Sequence, residues 1–390
     1  MRATPERCEV LVVGAGPAGA TAALACAARG LRVILAEKSQ FPRPKVCGCC
    51  LNKRALDVLE KIGVEQHLLD AGGQALHHMS LHAGGNQAAI RLPGGLAVSR
   101  ARLDFELATA AARRGADFRE DCRVARLSPL EEGWRAVVEH RGQTHTMEAK
   151  TVLVAEGLAG RILDDSTLGR VRTRRDSRIG VGTVVPLGEH HLAPGVISMA
   201  CGPGGYVGCV VLENGSLDVA AAIDGDASRR AGGPGTLVAC IFRKAGVDLG
   251  FDPASLKYRG TPRLTRKRVR VADHRLFVLG DAAGYVEPFT GEGMAWAMTA
   301  GLKSASFAVE SVDRWRPELI GQWEREIDRL VRKRQRWCRV LSYALRRPRV
   351  SKALIGTLAK TPGLSRPVVT SMNQPAEAEP GRERIGSSCP

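Results

Sequence analysis

The sequence contains few aromatic residues and no long apolar run. Phe, Trp and Tyr make up only 4% of its 390 residues, which argues against the stacking platforms that bind single-stranded nucleic acid. Zinc-finger and RNA-recognition signatures are absent too, so we expect no nucleic-acid partner. No apolar run reaches the roughly 18–20 residues that cross a bilayer, and the first predicted strand starts too near the N-terminus for a signal peptide. We therefore expect a cytoplasmic chain.

Acidic residues are in the minority, and the cysteines do not suggest a disulfide framework. The chain has 57 Lys and Arg against 40 Asp and Glu, a formal net charge of +17. Such an excess is compatible with an anionic substrate or an anionic membrane surface. The 11 cysteines are an odd number scattered through predicted buried strands, which is typical of reduced thiols.

Two clusters of potential metal ligands have simpler explanations. The cysteines of residues 47–50 form a C-x-C-C pattern, but no second Cys or His cluster at ligand spacing accompanies it. We interpret them as buried or half-buried thiols, and Cys47 is our choice if one of them faces an active site. Three residues in a Gly-rich stretch are interpreted as solvated loop histidines: His77, His78 and His82. We predict no metal site.

A Gly-x-Gly-x-x-Gly pattern stands between a predicted buried strand, residues 10–13, and a predicted Ala-rich helix, residues 18–28. Its glycines permit a tight turn, close approach of a pyrophosphate and close packing of the helix on the strand. The helix N-terminus offers free N–H groups and a positive dipole end to the phosphates. A second predicted strand, residues 31–36, precedes an acid that can accept ribose hydroxyls. This unit predicts a dinucleotide site whose candidate ligands are Gly14, Gly16, Pro17, Ala18, Gly19, Glu37 and Lys38.

A second Gly-rich helix start lies far along the chain. An apolar strand, residues 275–279, ends in Gly-Asp, and a Gly-x-Gly pattern then opens a helix that we predict to end near residue 308. An acid at the carboxyl end of a strand lies where open α/β sheets bind ligands. The candidate ligands of this second unit are Gly280, Asp281, Pro288, Gly291, Glu292, Gly293 and Met294.

The remaining segments predict further sheets and helices. Short strands separated by Gly, Pro and Asn-Gly predict an antiparallel sheet over residues 179–264. Residues 134–142 predict a β-hairpin, and residues 151–155 another buried strand. Residues 316–369 predict amphipathic helices with a basic face that includes Arg332–Arg336. That face is either solvated, with the helices packed on the main domain, or in peripheral contact with an anionic membrane surface.

These elements divide the chain into four predicted parts. The dinucleotide-binding domain is discontinuous and encloses a substrate-binding antiparallel sheet. The predicted bounds are 1–75, 96–170 and 265–308 for the dinucleotide-binding domain, 76–95 and 171–264 for the sheet, 309–370 for basic C-terminal helices and 371–390 for a disordered tail.

Taken together, residues 8–305 resemble the FAD-dependent family that contains the geranylgeranyl reductases and the hydroxylases of the p-hydroxybenzoate hydroxylase type. Both Gly-rich motifs match this family in the same order. The resemblance implies an α/β fold, Rossmann-like and of the glutathione-reductase type, with an inserted antiparallel-sheet substrate domain and a C-terminal helical segment. It also implies FAD as cofactor and NAD(P)H as electron donor. Asp281 would hold the ribityl chain, and Arg100, in the pattern Arg-Ala-x-Leu-Asp, would lie near the FAD phosphates.

Within that family, two motifs look like the reductase branch. They are Arg43-x-Lys45-Val-Cys47-Gly48, whose Cys lies near the flavin in that branch, and Pro203-x-x-Tyr206. Gly208 stands where the branch has a Trp, and Glu156-Gly157 stands where the hydroxylases have Asp-Gly. The resemblance thus adds further candidate cofactor ligands, Lys45, Gly48, Arg100 and Gly157. It makes Cys47 and Tyr206 the candidate catalytic residues.

Three functions remain open from the sequence. The first is reduction of a carbon–carbon double bond in a hydrophobic, isoprenoid- or polyketide-like small molecule by reduced FAD. The second is hydroxylation of an aromatic or polyketide substrate by oxygen activated on reduced FAD. The third is a non-catalytic basic protein that binds membranes or nucleic acid.

Overall fold

The computed structural model of the chain describes residues 5–287, 291–332, 344 and 346–373. The helices, in chain order, are α1 Pro17–Ala27, α2 Lys53–Lys61, α3 Glu65–Asp70, α4 Arg100–Arg113, α5 Gly225–Arg230, α6 Pro234–Ala245, α7 Gly293–Asp313, α8 Glu318–Ile327, α9 Pro348–Lys360 and α10 Arg366–Asn373.

The strands alternate with these helices and also follow one another directly. In chain order they are β1 Glu6–Val13, β2 Val33–Ala36, β3 Cys50–Asn52, β4 Gln74–Ala75, β5 His78–Ala83, β6 Asn86–Arg91, β7 Gly95–Ala97, β8 Asp117–Arg119, β9 Cys122–Leu130, β10 Gly133–His140, β11 Gln143–Val154, β12 Val171–Thr173, β13 Ile179–Val185, β14 Val196–Gly202, β15 Gly205–Val211, β16 Leu217–Ile223, β17 Arg259–Arg263, β18 Arg266–Arg268, β19 Ala272–Asp273, β20 Leu276–Val278 and β21 Gly284–Tyr285.

A mainly parallel sheet carries the first Gly-rich motif. Its strand order is β19-β20-β11-β1-β2-β8, and β9 and β10 extend it from β11 as an antiparallel meander. β1 pairs in parallel with both β2 and β11, and its residues 10–13 are buried, as expected for a strand covered on both faces. The predicted strand–helix–strand unit is therefore confirmed. The predicted hairpin is β10–β11, and the strand predicted at 151–155 is the end of the same long β11.

Helices α1 and α7 pack closely against each other beside this sheet. A Cβ placed on Gly301 of α7 would lie only 2.4 Å from the carbonyl oxygen of Ala18, so only glycine allows this approach. α7 continues to Asp313, five residues past the end that the sequence predicts, because Ser311 and Val312 are still buried against the sheet.

The second large sheet has seven strands in the order β17-β13-β16-β15-β14-β5-β6. Its pairs are antiparallel except β5–β14, which is parallel, so the prediction of a purely antiparallel sheet is wrong at that pair. The same region contains α5 and α6, which the sequence analysis missed. Leu237, Val238, Ile241 and Phe242 of α6 recur at helical spacing and are buried against the sheet. The α/β class with an inserted, largely antiparallel sheet is confirmed.

Two small sheets join the large ones, with orders β12-β18-β21 and β3-β7-β4. Strand β7 crosses the predicted boundary at residue 95, and α7 crosses the one at residue 308. The proposed division into domains stays a prediction.

The C-terminal helices lie against both large sheets. Trp323 of α8 is fully buried, donates a hydrogen bond from its indole nitrogen to the Val278 carbonyl at 3.2 Å, and packs edge-on against Phe277 and Phe307. α9 contacts β5 and β6, where Ile355 is buried. α10 reaches Asn373, inside the tail predicted for 371–390; residues 374–390 and most of the basic cluster 332–336 lie outside the described residues. Within the described part of the chain, no helix combines the length and apolar character needed to cross a membrane.

Candidate functional site

A cavity of about 440 Å³ lies where the N-termini of α1 and α7 meet one face of the seven-stranded sheet. The two helix starts contribute Gly16, Pro17, Gly293 and Met294 to its wall. The sheet contributes small or apolar residues, namely Met79, Gly180, Val181, Ile197, Met199, Gly208, Ala220 and Ala222. The loop 44–50 lies between these two walls. The cavity therefore has a polar end formed by backbone and charged groups and an apolar end formed by the sheet.

The first Gly-rich motif has the geometry of a phosphate cradle. Gly14 has φ +99°, and a Cβ on Gly19 would lie 1.8 Å from the Gly14 carbonyl oxygen, so both positions require glycine. Gly16 differs from them, because a Cβ there would meet only guanidinium nitrogens of Arg43 and Arg100, at 3.8 Å. α1 begins at Pro17, and no side chain caps its N-terminal N–H groups. An anion can thus approach the backbone at Gly16.

Arg100 and Arg43 supply positive charge beside this cradle. Arg100 is held by two hydrogen bonds to Asp104, from Nε at 2.9 Å and from Nη2 at 2.8 Å. Arg43, which the sequence analysis did not select, lies 3.2 Å from the same carboxylate, and its buried Nε has no partner among the described residues. The N-cap of α4, Ser99, donates from its backbone N and hydroxyl to Glu213, on the turn between β15 and β16. The second sheet thereby fixes the start of the helix that carries Arg100.

The acid at the end of β2 faces the motif, whereas its neighbour does not. Glu37 is buried and accepts hydrogen bonds from the backbone N of Ala15 at 3.0 Å and of Ser39 at 3.1 Å. It also lies 3.4 Å from Arg43. Lys38 is exposed and does not line the cavity. The position of Lys38 gives its predicted role no support.

The second motif reaches the same cavity. Asp281 lines it within a short 3-10 turn, and burial raises the pKa of this carboxyl although Lys45 and Arg100 act in the opposite direction. Gly280 has φ +55°, and a Cβ there would lie 2.8 Å from the Cβ of Ala18, so the two motifs touch. Gly291, with φ +72°, and Gly293 line the cavity, and Glu292 is buried beside them. Pro288 lies outside the described residues.

The loop between the walls contributes Lys45 and Gly48, which are open to the cavity. The Lys45 ammonium is surrounded by protein on its other sides, and this burial, with Arg100 and Arg43 nearby, lowers its pKa. A Cβ on Gly157, where φ is +72°, would lie 3.0 Å from Lys45 Nζ. The structure therefore brings Lys45 to Gly157, two positions that the sequence separates by more than a hundred residues.

Cys47 lies in the cavity wall beside two other sulfur atoms. Its Sγ is 4.0 Å from Sδ of Met294, and the Cys49 thiol donates a hydrogen bond to the Cys47 carbonyl oxygen at 3.8 Å. The influence of the neighbouring Cys49 thiol, helped by the positive charge of Arg100, outweighs burial and lowers the pKa of Cys47 to about 6. The site therefore favours the thiolate of Cys47 more than water does.

Tyr206 lines the apolar end and belongs to a buried ion network. Its hydroxyl hydrogen-bonds to Glu287, and the guanidinium of Arg178 lies 5.4 Å from its ring centre. Arg178 in turn donates from Nη1 to Glu287 at 2.9 Å, and both of these side chains are only 1% exposed. Burial raises the pKa of Tyr206 well above its ordinary value. The phenol is thus a fixed, protonated group.

A buried carboxyl also lies near Cys47, and the sequence analysis did not select it. Asp218 stands in the middle of the apolar strand β16, is only 6% exposed and interacts electrostatically with the thiols of Cys47 and Cys49. Burial, together with the nearby Cys47, raises its pKa well above the ordinary value. A lone acid in an otherwise apolar strand was the available signal, because strands disfavour Asp and interiors exclude unpaired charge. No cluster of three potential metal ligands occurs among the described residues. His78 and His82 lie on β5 rather than in a loop.

Comparison with known proteins identifies the cofactor class. Residues 7–195 match the FAD binding domain family. The chain is an FAD-dependent oxidoreductase. It is similar in sequence to reductases and in fold to a flavin monooxygenase. The third alternative from the sequence, a non-catalytic binding protein, is therefore abandoned.

Two relatives of the oxidoreductase are named as reductases. A digeranylgeranylglycerophospholipid reductase of Methanococcus vannielii is 26% identical over 343 residues, covering 83% of each chain. A menaquinone reductase of Mycolicibacterium smegmatis is 28% identical over 327 residues, covering 77% of this chain and 76% of the relative. Among solved structures, p-nitrophenol 4-monooxygenase of Pseudomonas putida DLL-E4 has the same fold, with a TM-score of 0.76, 16% identity, and coverage of 94% and 99%.

The residues present in the oxidoreductase fit FAD. Three structural features carry the fit: the space that a Cβ on Gly16 would fill, the buried unpartnered Nε of Arg43 and the uncapped start of α1. Together these features would accommodate the diphosphate of FAD. Glu37 is predicted to bind the ribose, and Asp281 the ribityl chain. The apolar end of the cavity is left for the flavin ring and a substrate. The individual residue roles remain predictions.

Proposed function

We propose that the oxidoreductase reduces a carbon–carbon double bond of a hydrophobic, isoprenoid- or polyketide-like small molecule. The observation that carries this proposal is the thiol of Cys47 in the wall of a cavity whose far end is apolar. The names of the two relatives support it, since both are reductases and one acts on a digeranylgeranyl lipid.

The shape of the apolar end suits a large substrate. The sheet wall of this part of the cavity includes four residues with small side chains, Gly180, Gly208, Ala220 and Ala222. At Gly208 the thioether of Met199 already fills the adjacent space, since a Cβ there would lie 2.7 Å from its Sδ. We infer that the other small side chains leave room for a ring or a branched chain beside the flavin.

Reduced FAD supplies the hydride when it is bound, and the chain supplies a proton and excludes water. Cys47 and Tyr206 are the proposed catalytic residues. Cys47 has the better position for proton transfer, because it lies beside Met294 at the start of α7. Tyr206 is held by Glu287 and has a high pKa, which suits it to fix the substrate rather than to give up its proton.

We propose NAD(P)H as the electron donor.

We also propose that the basic C-terminal helices make a peripheral contact with an anionic membrane surface. In the described part of those helices, α9 has exposed apolar side chains at Val350 and Leu354, next to the basic residues Arg349 and Lys352. Such a mixture of apolar and basic groups is typical of membrane-surface helices.

The purified holoenzyme tests the reaction. Its visible spectrum is recorded, FAD is bleached with NADPH or NADH without air, and menaquinone or a geranylgeranyl lipid is then added. Reoxidation with a product that has gained two hydrogen atoms at a side-chain carbon–carbon double bond supports alkene reduction, whereas formation of a quinol alone would contradict it. Reoxidation by O2 only, with a hydroxylated product, would instead select the monooxygenase alternative.

A further inference from the structure

One row of residues crosses the seven-stranded sheet beneath the cavity. Gly208 of β15 stands at its centre, paired with Met199 of β14 on one side and with Ala220 of β16 on the other. The row continues from Met199 to Leu81 of β5 and from Ala220 to Gly182 of β13. Residues that pair directly on neighbouring strands point to the same face of a sheet, and the strands lie about 4.8 Å apart. Because Met199 lines the cavity, the whole row lies on the cavity side of the sheet.

Both ends of this row are closed to a ligand. Met199 lines the cavity, whereas Leu81 behind it is buried and does not, so the cavity ends at Met199. A Cβ on Gly182 would lie 3.2 Å from Cγ1 of Val46, so Val46 covers that position. Between the two ends, Ala220 lines the cavity with a methyl group only. The ligand space in this row is therefore limited to the width between Val46 and Met199.

The next row along the same strands has the same plan. Gly180, Ala222 and Tyr206 pair in order across β13, β16 and β15. A Cβ on Gly180 would lie 2.8 Å from Oγ1 of Thr261 and 3.3 Å from Cδ2 of Leu264, so these two side chains close the row on the side of β13. Tyr206 closes it on the side of β15. The two rows together form a slot along β16, with two alanines as its floor and larger side chains on each side: Ala220 and Ala222, Val46 and Leu264, Met199 and Tyr206.

We propose that Met199 determines which apolar ligands the slot accepts, because its thioether fills the space over Gly208 and ends the slot on the side of β5. The proposal deepens the proposed function and rests on it for the class of ligand, an isoprenoid-like chain. It does not depend on the reduction of that chain. Met199 contacts the bound chain and takes no part in hydride or proton transfer.

The space that Met199 fills exists because residue 208 has no side chain. A Cβ on Gly208 would lie 2.7 Å from Sδ of Met199, which is too close for two atoms that are not bonded. Methionine is unbranched and flexible, so its thioether adapts to the room that is left to it. Without the Met199 side chain, the floor would extend from Ala220 across Gly208 to position 199, which is two strand spacings or about 10 Å. One side chain thus sets the reach of the slot.

The first test measures the Kd of the oxidised holoenzyme for geraniol, farnesol and geranylgeraniol, by equilibrium dialysis of the radiolabelled alcohols. These probes have the same hydroxyl group and differ only in the length of the isoprenoid chain. In the wild type we expect the affinity to level off within the series, because Met199 excludes the end of the longest chain. In Met199→Ala we expect the affinity for geranylgeraniol to rise at least ~tenfold relative to that for geraniol. The same ratio of Kd values in both proteins, or no binding of any probe, would overturn the proposal.

A matched control and the use of oxidised FAD keep this result specific. Met147→Ala removes a fully buried methionine of β11 that does not line the cavity, and it should keep the wild-type ratio of Kd values. Oxidised FAD has no hydride to give, so the Kd values are the same whether or not the reduced enzyme saturates a double bond. Failure of alkene reduction therefore leaves this test intact, and a negative result here does not contradict alkene reduction.

The second test applies even if Met199→Ala does not fold. Gly208 lies in an extended strand, so Gly208→Ala keeps the backbone and pushes the Met199 thioether toward Ala220. We expect this variant to bind geranylgeraniol at least ~threefold more weakly than the wild type does. When Gly208→Ala is combined with Met199→Ala, we expect its effect on the Kd to fall below ~twofold, because the two side chains no longer compete for one space. An unchanged affinity in Gly208→Ala, or an equal loss in both backgrounds, would overturn the proposal.

Discussion

The thiol of Cys49 donates a hydrogen bond to the carbonyl oxygen of Cys47 at 3.8 Å, and this neighbouring thiol contributes more than any other group to the low pKa of Cys47. Burial alone would raise the pKa of Cys47, as it does for Cys50. The loop thus uses one cysteine to make its neighbour reactive. The C-x-C-C pattern is explained without a metal.

The first prediction concerns this pair. In Cys49→Ala, Cys47 loses the neighbouring thiol that lowers its pKa most, so the Cys47 pKa rises and its alkylation at pH 7 slows by about threefold to tenfold. Iodoacetamide labelling of Cys47 measures the change, and Cys201→Ala provides the unaffected comparison. An unchanged rate would show that Arg100 alone holds the thiolate.

Gly16→Ala separates cofactor binding from folding. Gly16 has φ −77° and ψ −177°, which alanine adopts freely, and the added Cβ meets only arginine nitrogens at 3.8 Å. We expect the free energy of unfolding of the FAD-free protein to change by less than ~0.5 kcal/mol, while the Kd for FAD rises at least ~tenfold. Isothermal titration with FAD and urea denaturation measure the two effects. Gly19→Ala, whose Cβ would overlap the Gly14 carbonyl, should instead fail to fold. An unchanged affinity for FAD in Gly16→Ala would show that no phosphate of FAD binds at Gly16.

Arg43 is the cofactor ligand that sequence reasoning missed. If its buried Nε meets a phosphate, Arg43→Gln removes a charged hydrogen bond worth about 1.5–3 kcal/mol, and the Kd for FAD rises about tenfold to a hundredfold. Arg102→Gln, on the half-exposed side of α4, provides the control, with an affinity equal to that of the wild type. If Arg43→Gln and Arg102→Gln lost the same amount of affinity for FAD, the effect would come from net charge in general and not from a contact of Arg43.

How much of this site could be predicted from the sequence depends on how local each signal is. The Gly-x-Gly-x-x-Gly unit and the Gly-Asp strand carry their geometry within a few residues, so β1, α1, β2 and the helix start at Gly293 could all be predicted. Arg43 and Asp218 could not, because their contacts depend on how a loop and a distant strand pack in space. α6 was missed because its apolar spacing was interpreted as part of a continuous run of strands.

Trp323 tests how firmly the C-terminal region is fixed to the main sheet. It is fully buried against Phe277 and Phe307, so Trp323→Ala should lower the free energy of unfolding by about 3–5 kcal/mol. Arg325→Ala, at an exposed position two residues further along α8, should change the free energy of unfolding by less than ~0.5 kcal/mol. Urea denaturation of both variants measures the difference, and a small effect at Trp323 would mean that α8 detaches easily and is free to reach a membrane.

The buried acid also predicts how stability depends on pH. The raised pKa of Asp218 means that the native state keeps a proton that the unfolded state releases above its ordinary pKa of 3.8. The stabilisation is therefore complete below that value and is lost as pH rises toward the raised pKa, with a slope of up to about 1.4 kcal/mol per pH unit. Between pH 3.8 and the raised pKa of Asp218, the free energy of unfolding of the wild type should fall relative to that of Asp218→Asn. Chemical denaturation at several pH values measures both curves, and parallel curves would show that Asp218 is ionised in the native state.

The most direct test of the central claim is anaerobic oxidation of the reduced holoenzyme by an alkene. We predict that menaquinone or a geranylgeranyl lipid restores the oxidised FAD spectrum without oxygen and gains two hydrogen atoms at a side-chain carbon–carbon double bond. We also predict that Cys47→Ala slows the oxidation of reduced FAD by the alkene about a hundredfold, while the reduction of FAD by NAD(P)H in this variant is unchanged. Reoxidation that requires O2 and yields a hydroxylated product would contradict the account.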